Sequence, residues 1–172
     1  RKHILTPTPV KELALSHGTP VYQPEKIRRD FDDILKLKPD LIITCAYGQI
    51  VPDEILNLPP LGAFNLHASL LPQYRGGAPI QRAIMAGDTR TGMTLMRMVS
   101  RMDAGNIIAV QEVQIPGDYT YGDLEKDLMK AGAKLLHEQI GHLIDGSFDE
   151  TVQDEEKVSF AWNIQPQEEK ID

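Results

Sequence analysis

Apolar and polar positions change rhythm several times along the chain, and each change marks an element. Residues 41–46 are apolar or β-branched on both faces, which predicts a strand in the covered middle of a parallel sheet. Residues 62–67 predict a second strand, with Phe64 and Leu66 on one face and Asn65 and His67 on the other. Segments 91–99 and 107–115 predict two more, joined by Arg101-Met102-Asp103-Ala104-Gly105. Val21-Tyr22 reads as a short strand of its own.

Helical spacing separates these runs. Thr8, Pro9 and Val10 open a helix with a hydroxyl N-cap and a proline at the first position. Val10, Leu13, Ala14 and His17 share its face, and Gly18 stops it. A polar helix is expected over 28–36, a short one over 52–56, and another over 79–87. The longest, 121–143, carries Leu124, Leu128, Ala131, Leu135, Leu136 and Ile140 as a stripe, with Gly146 as its stop. Helices alternating with apolar strands give an α/β fold with a mostly parallel sheet and helices on both faces. The tail from Glu150 onward is charged, with Val158 and the stretch 160–162 as its expected anchors.

A chain of 172 residues holds one substantial domain, 41 % hydrophobic and 25 % charged, which excludes wholesale disorder. The charge is −7, which argues against a nucleic-acid grip within this stretch, because phosphate contacts need clustered Lys and Arg. No apolar run reaches the ~20 residues of a membrane helix, so no membrane partner is expected. A single cysteine, Cys45, excludes an internal disulfide framework and fits a reducing, cytoplasmic home. Within its apolar strand it reads as a small buried hydrophobe. The chain opens on Arg1-Lys2-His3 rather than Met, so it reads as a piece of a longer protein.

Ligands of open α/β sheets sit beyond the carboxyl ends of strands. Three loops qualify: Tyr47-Gly48-Gln49, the loop after His67, and the one containing Asp103. Asn65 and His67 could be an amide and imidazole pair for catalysis, or a turn asparagine beside a hydrogen-bonded core histidine. Ser69, His67 and Asp103 could be written as a hydrolase triad, but no Gly-x-Ser-x-Gly elbow is present. Arg75-Gly76-Gly77-Ala78-Pro79 is either a backbone cradle for an anion or a tight turn before a helix. The histidines His3, His17, His137 and His142 are scattered, and no metal site is expected.

Read in order, these pieces are more specific. Phe64-Asn65-Leu66-His67-Ala68-Ser69-Leu70-Leu71-Pro72-Gln73-Tyr74-Arg75-Gly76-Gly77-Ala78-Pro79-Ile80 resembles the core motif of the folate-dependent formyltransferases. Gly92-Met93-Thr94, continued by Met102-Asp103-Ala104-Gly105-Asn106-Ile107, resembles their second signature. Leu5-Thr6-Pro7-Thr8-Pro9-Val10 and Pro20-Val21-Tyr22-Gln23-Pro24 are similar to the branch that formylates methionyl initiator tRNA.

The resemblance implies a Rossmann-like formyltransferase fold, incomplete at its N-terminus. Residues 1–150 would be a catalytic domain without its first β-α-β stretch. Residues 151–172 would be a charged tail or linker towards a missing C-terminal domain. It implies 10-formyltetrahydrofolate as co-substrate and methionyl initiator tRNA as partner, held mainly by segments outside this chain. It also implies Asn65, His67 and Asp103 as the catalytic set, with Ser69, Leu70, Leu71, Pro72, Tyr47, Gly48 and Gln49 around the folate.

Those roles are chemically coherent. An α-amine with a pKa of about 7.7–8.0 has a useful neutral fraction at pH 7. The amide of Asn65 and the imidazole of His67 would face the oxyanion that develops on the formyl group. Asp103 would accept the amine proton, directly or through water. Rival readings are a formyltransferase acting on a sugar nucleotide or glycinamide ribotide, a serine hydrolase, and a non-catalytic folate-binding module.

Overall fold

Residues 6–168 are described by a computed structural model. Its four strands are β1 (Ile42–Cys45), β2 (Ala63–His67), β3 (Arg90–Arg97) and β4 (Ile107–Gln114). They lie side by side in chain order. β1 runs parallel to β2, while β2 with β3 and β3 with β4 are antiparallel. The helices are α1 (Pro9–Ser16), α2 (Asp32–Leu37), α3 (Asp53–Leu56), α4 (Pro79–Met85) and α5 (Tyr121–Asp145).

The two faces of the sheet are covered by different helices. Strand alternation sends Phe64, Leu66, Met93 and Leu95 to one side, where Leu124, Leu128, Ala131, Leu135 and Leu143 of α5 and Ala83 of α4 enclose them. Ala63 and Ile42 point the other way, onto Ile34 and Leu35 of α2 and Ile55 and Leu56 of α3. α5 is fixed at both ends. Thr120 and Asp123 form a reciprocal capping box at its start, and Gly146 ends it in the left-handed conformation.

The α/β, Rossmann-like arrangement with helices on both faces therefore holds, but the described sheet is mixed rather than mostly parallel. The connection from β3 to β4 takes only residues 98–106, shorter than the dozen or so that a parallel crossover needs. Between β2 and β3, residues 68–89 are long enough for a crossover, yet the two strands pair antiparallel. The apolar run around β1 reads as a middle strand; among the described residues β1 stands at one end of the strand order. Hydrophobic patterning reports what covers the faces of a strand, and β1 does contribute Ile42 and Ile43 to opposite clusters. It does not report what pairs with the strand's edges.

Smaller corrections follow the same logic. Val21-Tyr22 forms no strand, since no neighbouring strand pairs with it, and the polar helix begins only at Asp32. Cys45 is exposed rather than buried, because it sits where β1 runs out into a loop. In the tail, Ala161 and Gln153 are the buried residues, while Phe160 and Trp162 stack on each other and stay exposed. Burial there follows from pairing: Ala161 N–H donates to the Arg75 carbonyl and Ala78 N–H to the Ala161 carbonyl.

Candidate active site

The carboxyl ends of β1 and β2 are level, with Thr44 opposite Asn65 and Cys45 opposite Leu66. On β2, Asn65 and His67 emerge on the face away from α5, as alternation requires. The Thr44 hydroxyl has one proton and three acceptors in reach; the nearest is Asn65 Oδ1 at 2.7 Å, against 3.2 Å to Met98 Sδ and 3.3 Å to the Phe64 carbonyl. In this arrangement the Thr44 hydroxyl donates to Asn65 Oδ1, which leaves the NH2 group as the other end of the amide.

His67 is buried, and its Nε2 lies 2.8 Å from the Tyr74 carbonyl. A carbonyl can only accept, so Nε2 carries a hydrogen and donates it. The other nitrogen, Nδ1, faces Asp103 Oδ2 at 3.7 Å. That separation is too long for a hydrogen bond, and it places a carboxylate beside the imidazole edge. The hydrogen that His67 can offer to a reacting group is therefore on Nδ1, once the ring carries both protons.

Asp103 reaches this point by an unusual backbone. Its φ is +49°, a left-handed conformation that side chains seldom adopt. Its carboxylate accepts the Gly76 N–H at 2.9 Å, and its carbonyl accepts Gln153 Nε2 at 2.9 Å. Gly76 has a φ of +128°, and a Cβ there would come within 2.7 Å of the Ala161 carbonyl. Gly105, two residues beyond Asp103, has no room either: a Cβ would run into the Arg97 carbonyl. The glycine-rich stretch is a tight turn before α4, and one of its N–H groups, that of Gly76, donates to Asp103.

Ser69 is fully buried and donates to the Gln73 carbonyl at 2.6 Å. Its hydroxyl closes a turn and is not presented as a nucleophile. The loop it opens is pinned to β3 by Thr94, whose Oγ1 donates to the Ser69 carbonyl and accepts from Leu71 N–H. Leu71 is buried, and Leu70 and Pro72 are half-buried. On the neighbouring strand end, Tyr47, Gly48 and Gln49 are exposed. The Gln49 side chain is engaged, accepting from Ile27 N–H and donating to the Glu25 carbonyl. Two open grooves of about 490 and 470 Å³ run beside α3, bordered by Ile50 and Ser100 among others. Neither groove is lined by Asn65, His67 or Asp103.

Three participants escaped the sequence reading. Thr44 looked like one more β-former. Gln153 stood in a charged tail without any periodicity. Arg75 was read as part of a turn, yet it is the largest fully buried side chain, bonded to Gln153 and Glu155. Glu155 is held below the usual carboxylate range by the hydrogen bonds from Arg75 and then Arg101. Tyr74, which supplies the carbonyl to His67, has its phenol pushed up to about 12 by burial and by its bond to Asp88. Among the described residues no group of His, Cys, Asp and Glu is arranged to hold a metal ion, and no helix is long and apolar enough to cross a membrane.

The sequence matches the formyl transferase model over residues 4–140. A methionyl-tRNA formyltransferase of Bacillus cereus is 52 % identical over 174 aligned positions, taking in 100 % of this chain and 55 % of that protein. The chain thus spans about half the length of the curated relatives it matches. Among solved structures, an N-formyltransferase from Helicobacter canadensis, in complex with folinic acid and dTDP-3-aminofucose, superposes with a TM-score of 0.76 at 22 % identity. The alignment covers 92 % of this chain and 55 % of that one, and it shows the shared fold. A phosphoribosylglycinamide formyltransferase from Streptococcus pneumoniae gives a TM-score of 0.69 at 25 % identity, covering 78 % of this chain and 79 % of the other. With the model match running through both strand-end motifs, the chain belongs to the formyl transferase family.

Proposed function

We propose that the protein containing this chain transfers the formyl group of 10-formyltetrahydrofolate to the α-amino group of methionyl initiator tRNA, for translation initiation in the cytoplasm. The convergence of Asn65, His67 and Asp103 at one sheet end carries the reading of formyl transfer. The identity to the Bacillus protein favours methionyl-tRNA over a sugar nucleotide or glycinamide ribotide as acceptor.

In this reaction the neutral amine attacks the formyl carbon, a new C–N bond forms, and negative charge moves onto the formyl oxygen. The NH2 of Asn65, whose Oδ1 takes the Thr44 hydroxyl, and Nδ1–H of His67 are the donors to that oxygen. Asp103 takes the proton the amine loses, directly or through water, and its oxygen near His67 keeps the charge balanced as the oxyanion builds. The bond to the folate nitrogen then breaks as that nitrogen receives a proton from the same network, releasing tetrahydrofolate. Ser69, whose carbonyl is pinned, is part of the loop wall with Leu70, Leu71 and Pro72. Exposed Tyr47 and Gly48, with half-buried Leu70 and Pro72, offer the apolar surface a flat pterin needs.

The full-length protein, supplied with 10-formyltetrahydrofolate, is expected to formylate methionyl initiator tRNA and to leave aminosugar nucleotides and glycinamide ribotide unmodified. Transfer to either small amine in preference to the tRNA would overturn the choice of acceptor. Folate binding without release of tetrahydrofolate to any acceptor would overturn the reaction itself.

A further inference from the structure

We propose that Gln153 is a positioning residue for Asp103, acting on the active site from the tail; this rests on Asp103 being the proton acceptor of the proposed reaction. Gln153 is buried, and its amide uses its full hydrogen-bonding capacity. Its Oε1 accepts from Arg75 Nε at 3.0 Å and Nη2 at 2.8 Å. Its Nε2 donates to the carbonyls of Asp103 at 2.9 Å and Gly105 at 2.7 Å. A guanidinium only donates and a carbonyl only accepts, so the amide has one possible orientation.

That orientation matters because of what it holds. Asp103 sits at a φ of +49°, which the chain keeps only if surrounding contacts over-determine it. Gln153 fixes the backbone at Asp103 and again two residues later, while Gly76 fixes the carboxylate. Arg75, next to Gly76, closes the circuit: its side chain grips Gln153, and its backbone pairs with Ser159 and Ala161. The catalytic loop, the glycine turn and the tail are thereby locked to each other. Releasing the amide donors lets the Asp103 carboxylate drift from His67 Nδ1, and a misplacement of about 1 Å can cost roughly 100-fold in rate.

The test uses the full-length protein and the variants Gln153→Glu, Asp103→Asn and both together. Gln153→Glu keeps an acceptor for Arg75 and removes the donors to the loop, so the Arg75 side stays paired. The expected result is a fall in kcat of about 10- to 100-fold, with KM for both substrates within about twofold. The double variant should be no slower than Asp103→Asn alone, because Gln153 acts through Asp103. A folded Gln153→Glu protein with unchanged kcat, or losses that multiply in full, would overturn the proposal while leaving Asp103 in its role. An Asp103→Asn protein with undiminished kcat would overturn both. If Gln153→Glu does not fold, Gln153→Met is measured by the same cycle and judged by the same outcomes.

Discussion

Between β2 and β3 the apolar pattern is fully met: Phe64 and Leu95 are both 0 % exposed. α1 has an apolar spacing of its own and a sound N-cap, yet Val10 is 78 % and Leu13 62 % exposed, and the helix buries nothing. β1 lies between these extremes, with half-buried residues and an exposed Cys45. An amphipathic stripe has energetic value only where a second surface meets it. The residues proposed for catalysis are attached to the part where that condition is satisfied, on β2 and the loops bonded to β3 and the tail. Within this chain the comparison therefore separates a packed platform from a margin whose local structure rests on capping and backbone bonds.

The largest contrast is expected from matched leucine truncations in this chain. Leu95→Ala should lower the unfolding free energy by about 2–5 kcal/mol, while Leu13→Ala should stay within about 0.5 kcal/mol. Chemical denaturation of both variants measures this, and equal losses would erase the distinction. On the platform itself, Asn65→Ala in the full-length protein should cut turnover by about 10²–10³, equivalent to about 2.7–4 kcal/mol, with folate affinity nearly unchanged. Kinetics beside a thermal melt decide between a catalytic and a structural Asn65. An unstable but fully active variant would assign it to structure.

Thr44→Val tests the seam between the two regions. It removes one neutral hydrogen bond worth about 0.5–1.5 kcal/mol, so turnover should drop by about two- to tenfold, and Thr44→Ser should restore it. A smaller effect is expected from acid. Glu155 and Glu150 both lie below their usual value of 4.5, held first by hydrogen bonds from Arg75 and Arg97 respectively. Lowered carboxylates contribute stability that is complete above that usual value and is lost as pH falls through the folded one. The tail should therefore loosen below about pH 4.5, ahead of the α5 core, which hydrogen exchange along the chain would show as earlier loss of protection at Ala161 than at Leu128.

The platform was legible because its signals are local. The ends of β2, β3, β4 and α5 follow alternation, helical period and terminal glycines, and the placement of Asn65 and His67 on one face follows from their spacing alone. The joining of Asp103 to His67 was legible only through family resemblance, since it spans separate loops. Strand direction was misread because an apolar run is the same in either sense. Gln153 left no trace: a buried amide in irregular chain has no period, and its partners lie near residues 75 and 103. Phe160 and Trp162 misled for the opposite reason: their size suggested anchoring, while the backbone pairing with residues 75 and 78 runs through Ala161 between them.

The Gly76 N–H that holds Asp103 also has a practical bearing on solution measurements. Phosphate, sulfate and chloride find that donor already taken by a tethered carboxylate, whose local concentration free ions in a buffer do not match. The chemical step should then be indifferent to moderate anion concentrations. On the proposed reading of methionyl-tRNA as acceptor, a steep salt dependence in the full-length protein would report contacts to the nucleic-acid backbone. One titration of salt against kcat and KM separately would resolve the two: kcat would stay level while the apparent affinity for tRNA falls.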